Sequence, residues 1–212
     1  MSTWKELHDN PRLFEIIKKR ADIIRLTREF FWREGFREID TPIALRLPGQ
    51  EPYLSPVPVQ FHDPQGKEFP FYLHTSPEFA LKKLLCAGFE NLFHITKCFR
   101  DYEEFGRTHN TEFTMIEWYR SPGTYLDFMD DAEKVFAYVG RELGISELRY
   151  GGRSLPLAMP WGRVSVKDAW QRYAGVNLDE NLDIETMRET TRKKGYQVSE
   201  TDEYEDVFFK IL

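Results

Sequence analysis

LFHITKCFRDYEEFGRTHNTEFTMIEWYR, from Leu92 to Arg120, reads as two strands joined by a long polar loop. At a period of two, the first strand places His94, Thr96, Cys98 and Arg100 on one face and Phe93, Ile95 and Phe99 on the other. The second places Phe113, Met115, Glu117 and Tyr119 on one face and Thr114, Ile116 and Trp118 on the other. Paired as a hairpin, the two strands bring an Arg, an aromatic ring, a carboxylate and a phenol onto one surface above an apolar underside. That surface is a binding platform.

Outward from the hairpin, the order of elements is helix, strands, helix, hairpin, helix, then small mixed elements. Pro11 opens a helix in which Leu13, Ile17, Ala21, Ile24, Arg28 and Phe31 recur at steps of three and four, and Gly35 ends it. Phe36 to Ile39 reads as a short strand broken at Thr41-Pro42, and the Pro and Gly between Leu47 and Pro58 mark an irregular loop. Strands over Val57 to His62 and Phe69 to His74 flank the turn Asp63-Pro64-Gln65-Gly66. Ser76 as a cap, Pro77 at the first helical position and Glu78 in the first turn begin a helix that runs to Gly88. Tyr125 to Leu143 is an amphipathic helix closed by Gly144. Beyond it come a strand near Leu155 to Met159, helices near Val166 to Tyr173 and Ile184 to Lys194, and a last helical segment from Tyr204. Hairpins in place of β-α-β crossovers predict an α+β fold, an antiparallel β-sheet flanked by helices.

The 212 residues, 41% of them hydrophobic, can build a substantial core. A formal net charge of -6 argues against a surface devoted to nucleic-acid phosphates. No apolar run is long enough to cross a bilayer and MSTWKELHDN has no signal-peptide pattern, so a cytoplasmic location is expected and no membrane partner. Cys86 and Cys98 are the only cysteines, and His8, His62, His74 and His94 fit no ligand spacing, so no metal-binding residue is expected.

The hairpin sequence FRDYEEFGRTHNTEF resembles the second signature motif of the class II aminoacyl-tRNA synthetases, in the lysyl branch. The helix to Gly35, followed by Phe36-Arg37-Glu38-Ile39-Asp40-Thr41-Pro42, is similar to their first motif. Leu73 to Glu78 and HNTEFTMIEWYR resemble most closely the elongation factor P lysine ligases, which lack an anticodon-binding domain. No G-x-G-x-G-x-x-R run, the form of the third motif, occurs in the chain. The expectation is therefore that residues 1–212 are the N-terminal portion of one class II catalytic domain, with no anticodon-binding domain and the C-terminal part absent. Alone, such a portion is expected to turn over weakly or not at all.

What the resemblance implies is a ligase that joins lysine or β-lysine to ATP as an adenylate and passes it to a lysine side chain of elongation factor P. An Arg fork can neutralise the two anions that meet in such a step, and Arg100 is the catalytic candidate. Taken alone, a strand-end Arg is better read as one half of a surface ion pair, and the motif reverses that balance. By resemblance, ATP is held by Arg100, Asp101, Tyr102, Glu103, His109, Asn110 and Phe113, the ring lying under adenine. Relatives usually carry Phe-Arg-x-Glu, whereas this chain carries Phe99-Arg100-Asp101-Tyr102-Glu103, one residue more, and either Glu103 or Glu104 can read the adenine amine. Glu117 and Tyr119, two apart on one strand face, suit a cationic amine. Ser76, Pro77 and Glu78 are substrate contacts by resemblance alone, since capping explains them fully. Mg2+ is expected with ATP, its protein ligands in the absent C-terminal part. A homodimer through the first-motif helix is expected and tRNA is not. Two rivals are a lysyl-tRNA synthetase fragment that charges tRNA and a non-catalytic paralogue that only binds.

Overall fold

The computed structural model describes residues 4–103 and 109–211. In chain order the elements are α1 (Trp4–Asp9), α2 (Pro11–Arg33), β1 (Arg37–Glu38), β2 (Ala44–Leu45), β3 (Val57–His62), β4 (Glu68–Leu73), α3 (Glu78–Cys86), β5 (Leu92–Phe99), β6 (Glu112–Tyr119), α4 (Tyr125–Glu142), β7 (Glu147–Tyr150) and β8 (Arg153–Pro156). They are followed by α5 (Val166–Ala169), a π-helical turn (Trp170–Ala174), a 3-10 turn (Leu178–Glu180), α6 (Ile184–Lys193) and α7 (Tyr204–Ile211). The chain divides into two compact units, Met1–Met159 and Pro160–Leu212. No helix among the described residues is long and apolar enough to cross a membrane.

In the first unit, α2 begins where the Asn10 side chain accepts the Leu13 N–H at 3.1 Å. It ends at Gly35, whose φ of +81° is the left-handed turn that a side chain would disfavour. The chain then reverses, the Phe36 N–H donating to Phe31 O at 2.9 Å, and enters β1. β1 pairs parallel to β5, and β5 pairs antiparallel to β6. A second sheet, β2-β4-β3, is antiparallel throughout, and β7 and β8 form a separate hairpin. The architecture is mixed α+β with antiparallel sheets and helices, as the order of elements predicts; the parallel β1–β5 pair is an addition to it.

The core of this unit closes under the hairpin. Phe31, fully buried, has ring neighbours Phe30, Phe36 and Phe93 at 5.1 Å each and Trp118 at 5.4 Å. Leu26 and Tyr138 complete the buried cluster, with Ile95 and Ile116 packed against it. On α2 the covered stripe lies at the C-terminal half, through Leu26, Phe30 and Phe31. Ile17 and Ile24, which belong to the same apolar stripe in the sequence, line a cavity of about 500 Å³ with Ala21, Arg28 and Trp32. Arg28, which interrupts the apolar stripe, has its charge met by Glu38 at 2.7 Å. In the second unit Trp170, Val176, Met187 and Val207 form a small core of their own.

Candidate functional site

The register of the hairpin decides which side chains share a face. His94 lies opposite Glu117, Thr96 opposite Met115, and Cys98 opposite Phe113. The sequence reading placed these residues on one face, and the pairing puts them there together. Phe93 opposite Trp118 and Ile95 opposite Ile116 occupy the underside.

The end of β4 locks against the end of this hairpin. The His74 N–H donates to Ile43 O at 2.9 Å, the Phe99 N–H donates to His74 O at 3.0 Å, and His74 Nε2 meets Lys97 O at 2.6 Å. Burial lowers the proton affinity of the His74 ring, and the hydrogen bond to the Lys97 carbonyl opposes that shift. One residue past Arg100, the Asp101 N–H donates to Ser55 O at 2.7 Å. These bonds carry the loop from Thr75 to Glu78 to the same end of the sheet as Arg100. The helix α3 starts at Glu78 with Pro77 at its cap, one residue later than the sequence reading; the Ser76 Oγ accepts the Glu78 N–H at 3.3 Å, so the capping function attributed to Ser76 persists.

Arg100 extends over the Phe113 ring, 5.0 Å from its centroid, and its Nε is buried with no hydrogen-bond partner among the described residues. A guanidinium held by a ring face with a donor unspent is poised for an anion. Asp101 accepts the Tyr102 N–H at 3.0 Å, and Tyr102 itself stands in the left-handed region at φ 55° with its side chain in solvent. That is an uncommon conformation for a residue with a side chain. Glu103 is partly buried, and His109 and Asn110 are exposed. Glu104 lies outside the described residues.

Glu117 accepts a hydrogen bond from the Tyr119 hydroxyl. Burial raises the proton affinity of Glu117, the Tyr119 bond opposes it, and the charge of Glu78 adds to it. Tyr119 is pushed in the same direction, by burial and by the neighbouring carboxylate. Glu78 is paired with Lys82 at 2.5 Å, one helical turn on. Burial pushes the Cys98 thiol up to about 11, which makes it an inert core thiol. The structure therefore brings Arg100 with Phe113, and Glu117 with Tyr119 and Glu78. His94, to which the sequence assigns no role, ties this face to β1's end: its Nδ1 lies 3.3 Å from Thr41 Oγ1 and its Nε2 3.8 Å from Asp40.

Two features of the surroundings escape the sequence reading. Ser55 anchors Asp101 and Glu51 lies close enough for its charge to reach Glu117. Both sit in the Pro- and Gly-rich loop, where no periodicity marks a position. Among the described residues no group of three His, Cys, Asp or Glu side chains is arranged to hold a metal ion.

Residues 3–208 match the family of tRNA synthetases class II (D, K and N). A lysine–tRNA ligase of Campylobacter jejuni subsp. doylei is 34% identical over 185 residues, which are 85% of this chain and 35% of that protein. The corresponding ligase of Thermoanaerobacter pseudethanolicus is 31% identical over 201 residues, 93% of this chain and 39% of that protein. That of Fervidobacterium nodosum is 31% identical over 197 residues, 91% and 37%. The chain thus spans little more than a third of the length of these relatives. Setting tRNA aside as a partner finds no support in them, because each is named for joining lysine to tRNA. With the match running through both compact units, the chain belongs to the class II tRNA synthetases (D, K and N).

Proposed function

We propose that the upper face of the β5–β6 hairpin binds ATP and lysine as one half of a site that joins them into an aminoacyl-adenylate, in a cytoplasmic ligase. The observation that carries this reading is the pairing of two unlike recognition groups on one face. Arg100 offers an unspent donor beside the Phe113 ring, and Glu117, bonded to the Tyr119 hydroxyl, offers a partly buried carboxylate. In the reaction, a carboxylate oxygen of lysine forms a bond to the α-phosphorus and the bond to pyrophosphate breaks. Arg100 would hold both anions and follow the charge that builds at phosphorus. Glu117, bonded to the Tyr119 hydroxyl, would hold a substrate ammonium, and Ser76, Pro77 and Glu78 would border it from the α3 side. Phe113 would carry the adenine, with Asp101, Tyr102, Glu103, His109 and Asn110 around the nucleotide. Mg2+ would neutralise the phosphates of bound ATP; the described residues offer it no ligand set, and no step is assigned to it.

For the acceptor, two readings stand on different observations. The resemblance of HNTEFTMIEWYR favours a lysine side chain of elongation factor P, with α-lysine or β-lysine as the amino acid. The relatives' names favour tRNA. A gel shift against tRNA and a pull-down with elongation factor P separate them. Both units are proposed to belong to one catalytic domain. The cavity on α2, with exposed Ile17 and Trp32, is proposed as the homodimer surface, and sedimentation of an Ile17→Glu variant as a monomer would support it.

The site reading is tested by isothermal titration with ATP and with lysine. Both should bind, Arg100→Ala should lose ATP, and Glu117→Gln should lose lysine. Binding without adenylate on mixing would favour the non-catalytic paralogue, and wild-type affinities in both variants would sink the site.

A further inference from the structure

The chain from Ile39 to Gln50 and one side of α3 border a cavity of about 710 Å³ that the reading above leaves without a task. Phe79, Ala80, Lys83 and Leu84 line it from α3, and at about 100° per residue they lie on the side of that helix away from Glu78 and Lys82. None of the candidate ATP or lysine contacts lines it, so it is separate from the proposed adenylate site.

The cavity joins two kinds of chemistry. Leu45, Leu47, Pro48, Phe79 and Leu84 supply hydrocarbon, and Leu47 and Phe79 stand exposed, so a ligand that covers them gains by taking apolar surface out of water. The charged lining is Asp40, Arg46 and Lys83. Arg46 and Lys83 have no ion pair among the described residues. Asp40 has His94 3.8 Å away, a ring whose proton affinity burial lowers, so near neutral pH the Asp40 charge is not cancelled. Two cations against one carboxylate leave the cavity with one positive charge in excess. A volume within the range of about 300–1,000 Å³, mainly apolar walls and a few charged groups are the features of a small-molecule site. The excess charge selects an anion.

We propose that this cavity binds a small organic acid with an apolar body, its carboxylate met by Arg46 and Lys83 and its hydrocarbon by Leu45, Leu47 and Phe79. The site stands whether or not the adenylate-site reading does. Lys83→Gln and Arg46→Gln each keep most of the side chain and remove its charge. Ala80→Leu fills the cavity from the α3 side and leaves both cations in place.

The test is isothermal titration of the unaltered chain and of these three variants with octanoate and with octylammonium, which share a hydrocarbon chain and differ in charge. Octanoate should bind the unaltered chain at one saturable site, at least tenfold more tightly than octylammonium. Loss of one charge-assisted contact should weaken octanoate about tenfold in Lys83→Gln and in Arg46→Gln, and Ala80→Leu should abolish it. Absence of octanoate binding to the unaltered chain, equal affinities for the two amphiphiles, or an octanoate affinity unchanged in both cation variants would overturn the proposal. Sedimentation supplies a further check: a dimer of the unaltered chain that is lost in Ala80→Leu would show that a second copy fills the cavity, and would also overturn it.

Discussion

The two faces of the β5–β6 hairpin are built from the same sixteen paired residues and have opposite fates. On the underside, Phe93, Ile95, Ile116 and Trp118 meet the rings of α2 and α4, and the contacts are mainly carbon on carbon. On the upper face, Glu117 is held by Tyr119 against the cost of burial, and just beyond the strand Arg100 Nε has nothing to bond. A pleated strand sends alternate side chains to opposite sides, so one backbone can carry a core and a site without either compromising the other. The lesson is a separation: the underside supplies stability, and the upper face carries the polar groups to which substrate binding is proposed to fall.

Substitutions can break or sharpen that separation. The largest effect is expected for Phe31→Ala, which removes a fully buried ring touching four others and should cost about 3–5 kcal/mol in denaturant unfolding. At temperatures where this variant stays folded it should still bind lysine; loss of binding in a folded sample would mean the faces are coupled. Next comes Asp131→Ala. Asp131 is buried and takes two hydrogen bonds from Arg120, at 2.7 and 3.0 Å, while Arg120 also covers the Phe36 ring. Stranding Arg120 should cost about 3 kcal/mol, the low end for a broken buried pair because Arg120 keeps some water. A smaller loss, about 1 kcal/mol, is expected when Thr124→Ala removes the hydroxyl that donates to Asp127 at 2.9 Å at the start of α4. Neither change should alter ATP affinity.

How much of this was legible in the sequence follows from where each signal came from. The hairpin faces follow from strand parity over eight residues a side, and parity survives any pairing that keeps the register in step. The helix α2 was legible from Pro11 to Gly35, yet periodicity marks a stripe without saying how much of it is covered. Ile17 and Ile24 fit the stripe as well as Leu26 and Phe30 fit the core, and only the tertiary packing separates them. Two-residue strands such as β1 and β2 carry no period at all, so the parallel β1–β5 pairing and the existence of β2 were invisible. The division after Met159 lies in a stretch without a linker composition. Among site residues, Glu117 and Tyr119 were legible because a carboxylate on an otherwise apolar strand is unusual. Arg100 and Phe113 needed the family resemblance.

The smallest expected change in stability has the opposite sign, and it bears most directly on the separation of faces. Burial raises the proton affinity of Glu117 in the folded chain above that in the unfolded chain. Between the ordinary carboxylate range and the raised value the folded chain holds more protons, so its stability falls as pH rises through that window. Glu117→Gln removes this penalty and can keep a hydrogen bond to Tyr119. The decisive measurement is a thermal melt and a lysine titration of the same Glu117→Gln sample at pH 7. The account predicts lysine binding abolished with Tm unchanged or raised by about 2 °C, the scale of less than 1 kcal/mol in a chain of this size. Lysine binding retained, or lost together with a fall in Tm, would contradict it.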